Sequence, residues 1–340
     1  MAGTAHTRMP TIDRARLTQA RLAYGLGAAL GALTLSALVN DQLARKAERD
    51  NPPLGRILDV DGVRLHVVER GQGKPLVLLH GNGSMIEDFV SSGLVDEAAR
   101  THRVIAFDRP GYGHSERPRR TIWGPDAQAD RIAMALTRLG VVGATVLGHS
   151  WGCLVAVALA RRHPDLVGGL VLVSGYYHPS PRGDVAGASL PAVPVLGDVL
   201  RYTVTPILTR ALWSSAMRKV FELAPVPSKF AALPREMALR PSQIRASAAE
   251  SALMIPSAAT SAPCTDLTVP VAIVAGAQDR MVDVEAQSAR LHGELAQSTF
   301  DRVEGAGHMV HQTATDVVLA AINRIVPLAR DEPGARLSAA

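Results

Sequence analysis

The chain has 340 residues, 47% of them apolar and 20% charged, which suits one large α/β domain or two ordinary ones and excludes wholesale disorder. Its formal charge of +5 is scattered, with no interleaved aromatics, so composition argues against a nucleic-acid partner and for solvated surface charge. Two cysteines, Cys153 and Cys264, stand far apart without His or Cys at metal-ligand spacing, so neither a disulfide framework nor a metal site is read from them.

The first element is LAYGLGAALGALTLSALV, Leu22 to Val39, which carries no charge. A bilayer span needs roughly 17–25 predominantly apolar residues, so this run is just long enough. Arg8, Arg14, Arg16 and Arg21 precede it, and Asn40 and Asp41 follow. A membrane anchor, a cleaved signal peptide and a buried helix compete for it. The best small-residue match to a cleavage site, Ala29-Leu30-Gly31, falls inside the run itself. The basic flank and the polar DQLARKAERDNPPLG that comes next count against a buried helix. Residues 1–50 are therefore expected to form a single-pass membrane anchor, spanning 22–39, and a polar linker. The arginines ahead of the span outnumber Arg45, Lys46 and Arg49 behind it, which predicts a cytoplasmic N-terminus and an extracytoplasmic catalytic domain.

After Pro52-Pro53 short apolar runs alternate with helical stretches. RILDVDGVRLHVVERG reads as a β-hairpin about Asp61-Gly62. PLVLLHG, RVIAFD, TVLGHS, LVLVSG and VAIVAG are continuous apolar runs, the mark of strands buried on both faces of a parallel sheet. Helices are expected at Ala127–Leu139 and Trp151–Arg162. The alternation predicts a doubly wound α/β fold. From about His178 to Cys264 the rhythm breaks into a stretch rich in proline, leucine and alanine. It includes VLGDVLRYTVTPILTRALW and is expected to be a helical insertion over one sheet edge. The core is thus 51–177 and 265–330, the insertion 178–264 and the tail 331–340.

Gly148-His149-Ser150-Trp151-Gly152 stands between a predicted strand and a predicted helix, matching the G-x-S-x-G nucleophile elbow. A serine at such a turn projects Oγ from the sheet edge, and flanking glycines remove side chains where strand and helix come close. The hydroxyl needs a base, and the base an orienting acid. GAQDR places Asp279 at the end of one strand, and GAGHM places His308 in a glycine-rich loop before the last helix. The order Ser150, Asp279, His308 is that expected of a triad on this sheet. Asp283 and His311 are nearby rivals that fit the strand ends less well. His80-Gly81-Asn82-Gly83 follows another strand and can aim a backbone N–H at the site. The expected oxyanion donors are the N–H groups of Asn82 and Trp151.

With HGNG at 80–83, DRPGYGHS at 108–115, GHSWG at 148–152, Asp279 and His308 in order, the chain resembles the α/β-hydrolase family over roughly Leu54 to Pro327. The resemblance implies a mostly parallel central sheet with helices on both faces. It makes the insertion a helical cap shaping the substrate pocket, and DRPGYGHS a structural turn in which Asp108 and His114 have no catalytic role. Epoxide hydrolases and haloalkane dehalogenases of this family carry a similar elbow with an aspartate nucleophile, whereas Ser150 stands here. The insertion offers only Tyr202 beyond Tyr176 and Tyr177 at its entrance for activating an epoxide. Serine points to acyl transfer: a cofactor-independent ester hydrolase with a small-molecule, hydrophobic acyl substrate. A perhydrolase or a C–C bond hydrolase would use the same triad, and a hydrolase-fold binding module would usually lack one of its members.

Overall fold

The computed structural model describes residues 14–222, 224–261 and 264–325. Arg8 and the tail 331–340 lie outside the described residues. The described residues open with a long helix, α1 (Arg14–Asp50), which contains the apolar run and is long and apolar enough to cross a membrane, with none of that window buried. The expected polar linker is not a linker. Residues 41–50 continue the same helix, Asn40 and Ala47 are buried, and Arg240 Nη1 meets Glu48 Oε1 at 2.7 Å. The physical reason is that Gln-Leu-Ala-Arg-Lys-Ala-Glu-Arg are strong helix formers, reinforced by i,i+4 pairs such as Asp41–Arg45 at 2.8 Å. Polarity here marks a solvated helix face, and only Pro52-Pro53 ends it.

The hairpin follows as β1 (Arg56–Val60) and β2 (Val63–Arg70), turning on Asp61 and Gly62 with φ of 51° and 72°. Positive φ at both positions is what a two-residue type I′ turn requires. The remaining strands are β3 (Lys74–Leu79), β4 (His102–Phe107), β5 (Ala144–His149), β6 (Val167–Val173), β7 (Val271–Gly276) and β8 (Ser298–Val303). They form one sheet of eight in the order β1-β2-β4-β3-β5-β6-β7-β8, antiparallel at β1–β2 and β2–β4 and parallel elsewhere. Every residue of β5, β6 and β7 is buried, as continuous apolar runs require, whereas the edge strand β8 keeps polar, partly exposed residues.

Between β3 and β4 lie α2 (Ile86–Ser92) and α3 (Leu94–Ala98), and α4 (Pro125–Arg138) and α5 (Trp151–Arg162) flank β5. Between β6 and β7 come the cap helices α6 (Gly183–Ser189), α7 (Leu196–Tyr202), α8 (Val204–Phe221), α9 (Arg235–Ala238) and α10 (Pro241–Ser261). The described residues close with α11 (Arg290–Glu294), α12 (Val310–Thr313) and α13 (Thr315–Arg324). The pleat of β3 divides the core. Val77 and Leu79 pack with Ile132 of α4 and Val155 of α5, while Leu76 and Leu78 pack with Phe89 of α2 and Val318 of α13. Each such buried side chain contributes about 1.5–3 kcal/mol. A third apolar cluster, in the cap, takes in Ala47 of α1. β3 lies between β4 and β5, so the winding reverses there and opens a crevice at the carboxyl ends of the strands.

Candidate active site

β5 ends at His149 and α5 begins at Trp151, so Ser150 makes the turn by itself, with φ 52° and ψ −119°. That backbone conformation costs on the order of 1–3 kcal/mol for a residue with a Cβ. It is held by Ser150 N–H donating to Val173 O at 2.9 Å and Cys153 N–H donating to Ser150 O at 3.0 Å. The glycine spacing is steric. A Cβ on Gly148 would lie 2.5 Å from Gly152 O, and one on Gly152 would lie 2.2 Å from Leu79 O. Trp151 is the first residue of α5, so its N–H is among the first-turn donors that carry the positive end of the helix dipole.

Asp279 and His308 come from the loops after β7 and β8. His308 Nδ1 lies 2.7 Å from Asp279 Oδ2, and both side chains are largely buried. The other carboxylate oxygen, Asp279 Oδ1, accepts Met281 N–H at 2.8 Å and Val282 N–H at 2.9 Å, which fixes the acid's orientation. His308 N–H donates to Val220 O of α8 at 3.2 Å, and His308 O sits 3.1 Å from His149 Nε2. Ser150 and His308 line one cavity of about 330 Å³, together with Gly81, Asn82 and Trp151. The rivals stand elsewhere. Asp283 is exposed and accepts Ala286 N–H at 2.9 Å, and the fully buried His311 has Nε2 3.1 Å from Asp88 Oδ1.

The HGNG loop comes close to the elbow. A Cβ on Gly81 would lie 3.0 Å from His149 Nδ1 and 3.1 Å from Ser150 Cβ. The Asn82 side chain is committed elsewhere. Its Nδ2 donates to Ser251 Oγ at 3.2 Å and Ser247 O at 3.3 Å, and its Oδ1 accepts Tyr112 O–H at 2.8 Å. Only its main chain is left to face a reacting oxygen.

The sequence reading missed what holds this loop. Fully buried Arg109 donates Nε–H to His80 O at 2.7 Å and Nη2–H to Gly81 O at 2.9 Å, while Nη1 and Nη2 reach Glu250 of α10 at 2.5 and 3.0 Å. Burial alone would raise the Glu250 carboxyl, but the Arg109 charge and hydrogen bonds outweigh it and hold the group ionised. Tyr112 Oη also lies 2.7 Å from Glu250 Oε2, so its single proton is shared between that carboxylate and Asn82 Oδ1 and ties the loop to the cap. Asp108 is structural: fully buried, with Oδ2 2.6 Å from His66 Nδ1 and Oδ1 accepting Ile86 N–H at 2.9 Å. His114 N–H donates to the same carboxylate at 3.0 Å.

Beneath the elbow, Asp88, His149 and His311 bring one ligand-type atom each within 4.8 Å of the others, all buried. The donor types suit a divalent transition metal. Hydrogen bonding already accounts for the carboxylate, which accepts Ser84 O–H at 2.8 Å on Oδ2 and Gln312 N–H at 2.8 Å on Oδ1, beside His311. Burial would raise Asp88, yet the His311 charge and hydrogen bond hold it well below the usual carboxylate range. Burial, then the neighbouring His311 and His308, push His149 far down, so it is neutral.

Much of the remaining wall is apolar, formed by Trp213, Met217, Phe230, Met254, Met281 and Met309. Among the described residues its one Lys or Arg, Arg182, is bound to Asp184 at 2.9 and 2.7 Å. Tyr202 lies on the cap surface outside the cavity, and the Tyr176 hydroxyl accepts Ser180 N–H at 2.8 Å and donates to Ser180 O at 3.1 Å.

A sheet of this order, with a serine elbow and an Asp–His pair at its carboxyl edge, defines a hydrolase-type α/β fold, and residues 74–315 match the family model for the alpha/beta hydrolase fold. The chain belongs to that family. It is 34% identical over 157 residues to 2-hydroxymuconate semialdehyde hydrolase of Pseudomonas sp. (strain CF600), a match covering 46% of this chain and 52% of that protein. The chain thus spans about half the length of that relative. It is 27% identical over 274 residues to haloalkane dehalogenase 2 of Mycobacterium tuberculosis (strain ATCC 25618 / H37Rv), covering 78% of this chain and 93% of the other. Among solved structures, a membrane phospholipase A described as a bacterial virulence factor superposes with a TM-score of 0.59 at 22% identity, over 91% of this chain and 99% of its own, a likeness of fold.

Proposed function

We propose that the protein is a membrane-anchored serine hydrolase that cleaves a hydrophobic carboxylic ester through an acyl-enzyme. The observation that carries this reading is Ser150, strained at the head of α5, sharing an apolar cavity with a histidine whose far nitrogen is held 2.7 Å from a buried aspartate. Ser150 Oγ attacks the ester carbonyl while His308 Nε2 takes its proton, and Asp279 keeps the other ring nitrogen protonated and stabilises the imidazolium. The N–H groups of Asn82 and Trp151 receive the oxyanion. As the tetrahedral intermediate collapses, the C–O bond breaks and the alcohol leaves with the proton from His308. Water, deprotonated by the same imidazole, then releases the acid and restores Ser150. The steps balance with ester and water, so the reading needs no cofactor or metal.

Labelling with a fluorophosphonate tests it. Wild type is expected to label and Ser150→Ala is not; a folded wild type that stays unlabelled sinks the assignment. We assign α1 as an uncleaved anchor, with the hydrolase domain on the extracytoplasmic side. None of its apolar window is buried, while Asn40 just beyond it is built into the cap. A protein recovered in the soluble fraction with Met1 still attached overturns the anchor.

The likeness to 2-hydroxymuconate semialdehyde hydrolase supports a second reading, C–C bond hydrolysis by the same residues. A keto-dienoate of that kind brings a carboxylate, and the cavity's one wall cation is already neutralised by Asp184. The ester reading is therefore preferred, and product analysis with a vinylogous diketone beside a simple ester separates the two.

A further inference from the structure

Two hollows in the cap share a wall. Trp213, Met217, Phe230 and Leu233 bound the catalytic cavity on its cap side. The same four side chains bound a wider hollow of about 970 Å³, whose opposite wall is α1 itself, through Leu43, Ala47 and Asp50. Among the described residues, these four side chains line both the space beside α1 and the space in front of Ser150.

Height along α1 determines what the outer hollow faces. The uncharged run ends at Val39, and the hollow begins at Leu43, about one helical turn further on. The domain grips the helix at that level. Ser36 Oγ donates to Thr203 O at 2.9 Å, and Asn40 Nδ2 donates to Tyr202 O at 2.9 Å and Thr203 O at 3.1 Å. Ser36 lies within the apolar run, so the junction of α7 and α8 stands level with the run's last turn. Around that junction Leu196, Val199, Val204, Ile207, Leu208 and Leu212 are each about half exposed. So large an apolar patch on one face of a folded domain calls for a non-aqueous neighbour. A helix of spanning length emerging from the same patch says which neighbour. α8 then runs from Ile207, Leu208 and Leu212 straight into Trp213 and Met217 of the shared wall, so one helix carries an apolar path from the patch to the catalytic cavity.

We infer that the cleft between α1 and the cap is a membrane-side entrance through which a lipid ester passes its acyl chain from the bilayer to Ser150, with the exposed faces of α7 and α8 seated in the headgroup layer. The inference rests on the anchored ester-hydrolase reading above and names its substrate class: an amphiphile whose acyl chain stays out of water on its way to the serine. Trp213, Met217, Phe230 and Leu233 are then the partition that a chain displaces on entry.

The test uses full-length protein in phosphatidylcholine vesicles and three probes: a palmitoyl ester held in the same vesicles, water-soluble p-nitrophenyl butyrate, and a fluorophosphonate. The variants are Ser214→Trp, on the groove side of α8 and outside the catalytic cavity, and the double variant Ile207→Glu/Leu208→Glu on the exposed face. Both are expected to label like wild type and to hydrolyse p-nitrophenyl butyrate within about twofold, while turnover of the vesicle-borne ester falls about tenfold or more. Equal turnover of the palmitoyl ester by all three proteins overturns the inference, as does a parallel loss on both esters. A wild type that splits only the soluble ester overturns it as well. So does a double variant that turns a dimer into a monomer and keeps its vesicle activity, since the face then belongs to a second copy. A wild type that fails to label with the fluorophosphonate is a different failure: it removes the hydrolase reading itself.

Discussion

The turn at Ser150 and the outer face of α7 and α8 are built on opposite terms. At the turn, backbone atoms of β3, β5 and α5 come so close that two positions accept only glycine, and the strained serine is held from both sides by main-chain hydrogen bonds. On the outer face, leucines, valines and an isoleucine stand half exposed, with little of the protein to contact. The first region is specified by the chain itself; the second is completed by its surroundings. Substitutions should therefore be costly and local at the turn, and nearly silent for folding on the cap face.

The largest effect is expected at the acid. Asp279→Asn should lower kcat on the order of 10⁴-fold by favouring the wrong imidazole tautomer, while Asp283→Asn leaves kcat unchanged. A larger loss at Asp283 would reverse the assignment. Next comes Glu250→Leu, which strands the buried Arg109 and should cost about 3–5 kcal/mol in urea unfolding. Because Arg109 also holds the His80 and Gly81 carbonyls, any folded fraction should show reduced kcat. Gly152→Ala, whose methyl would meet Leu79 O, should lose about 3 kcal/mol by the same measurement.

A smaller effect depends on pH. Burial, then the charge of Asp108, pushes the Glu87 carboxyl up to about 7. Between its ordinary value and that one, the folded chain keeps a proton that the unfolded chain releases, so stability falls as pH rises through this window, by up to about 3 kcal/mol. Glu87→Gln should flatten that slope between pH 5 and 8; an unchanged slope would place the titration elsewhere. Smallest of all, Leu208→Ser on the cap face should shift unfolding by less than about 0.5 kcal/mol. A shift above about 2 kcal/mol would mean that the protein itself covers this face.

Most of the candidate site's edge was legible because its geometry is local. A glycine-serine-glycine spacing encodes a steric turn, and an apolar run encodes a strand whose end places the residue that follows. The pairing of Asp279 with His308 was legible that way. The Arg109–Glu250 pair was not, because its members are 141 positions apart and meet only when the cap closes on the core. Asp88 of α2 stayed hidden for the same reason, and His311 of α12, weighed only as a rival base, gave no sign that it would pack beside that carboxylate. Residues 41–50 were misread because polarity alone does not distinguish a solvated helix face from a tether; their helix propensity did.

That continuous α1 has a mechanical consequence. From Ala32 to Asp50 the sequence contains neither glycine nor proline, so the segment behaves as a stiff axle rather than a leash. Each residue added to it lengthens the axle by about 1.5 Å and turns whatever is mounted beyond by about 100°. One extra residue between Asn40 and Ala47 would swing one grip out of register with the other, whereas four would bring the faces nearly back into line. The gap between Val39 and the mouth of the outer hollow is thus geared in whole residues.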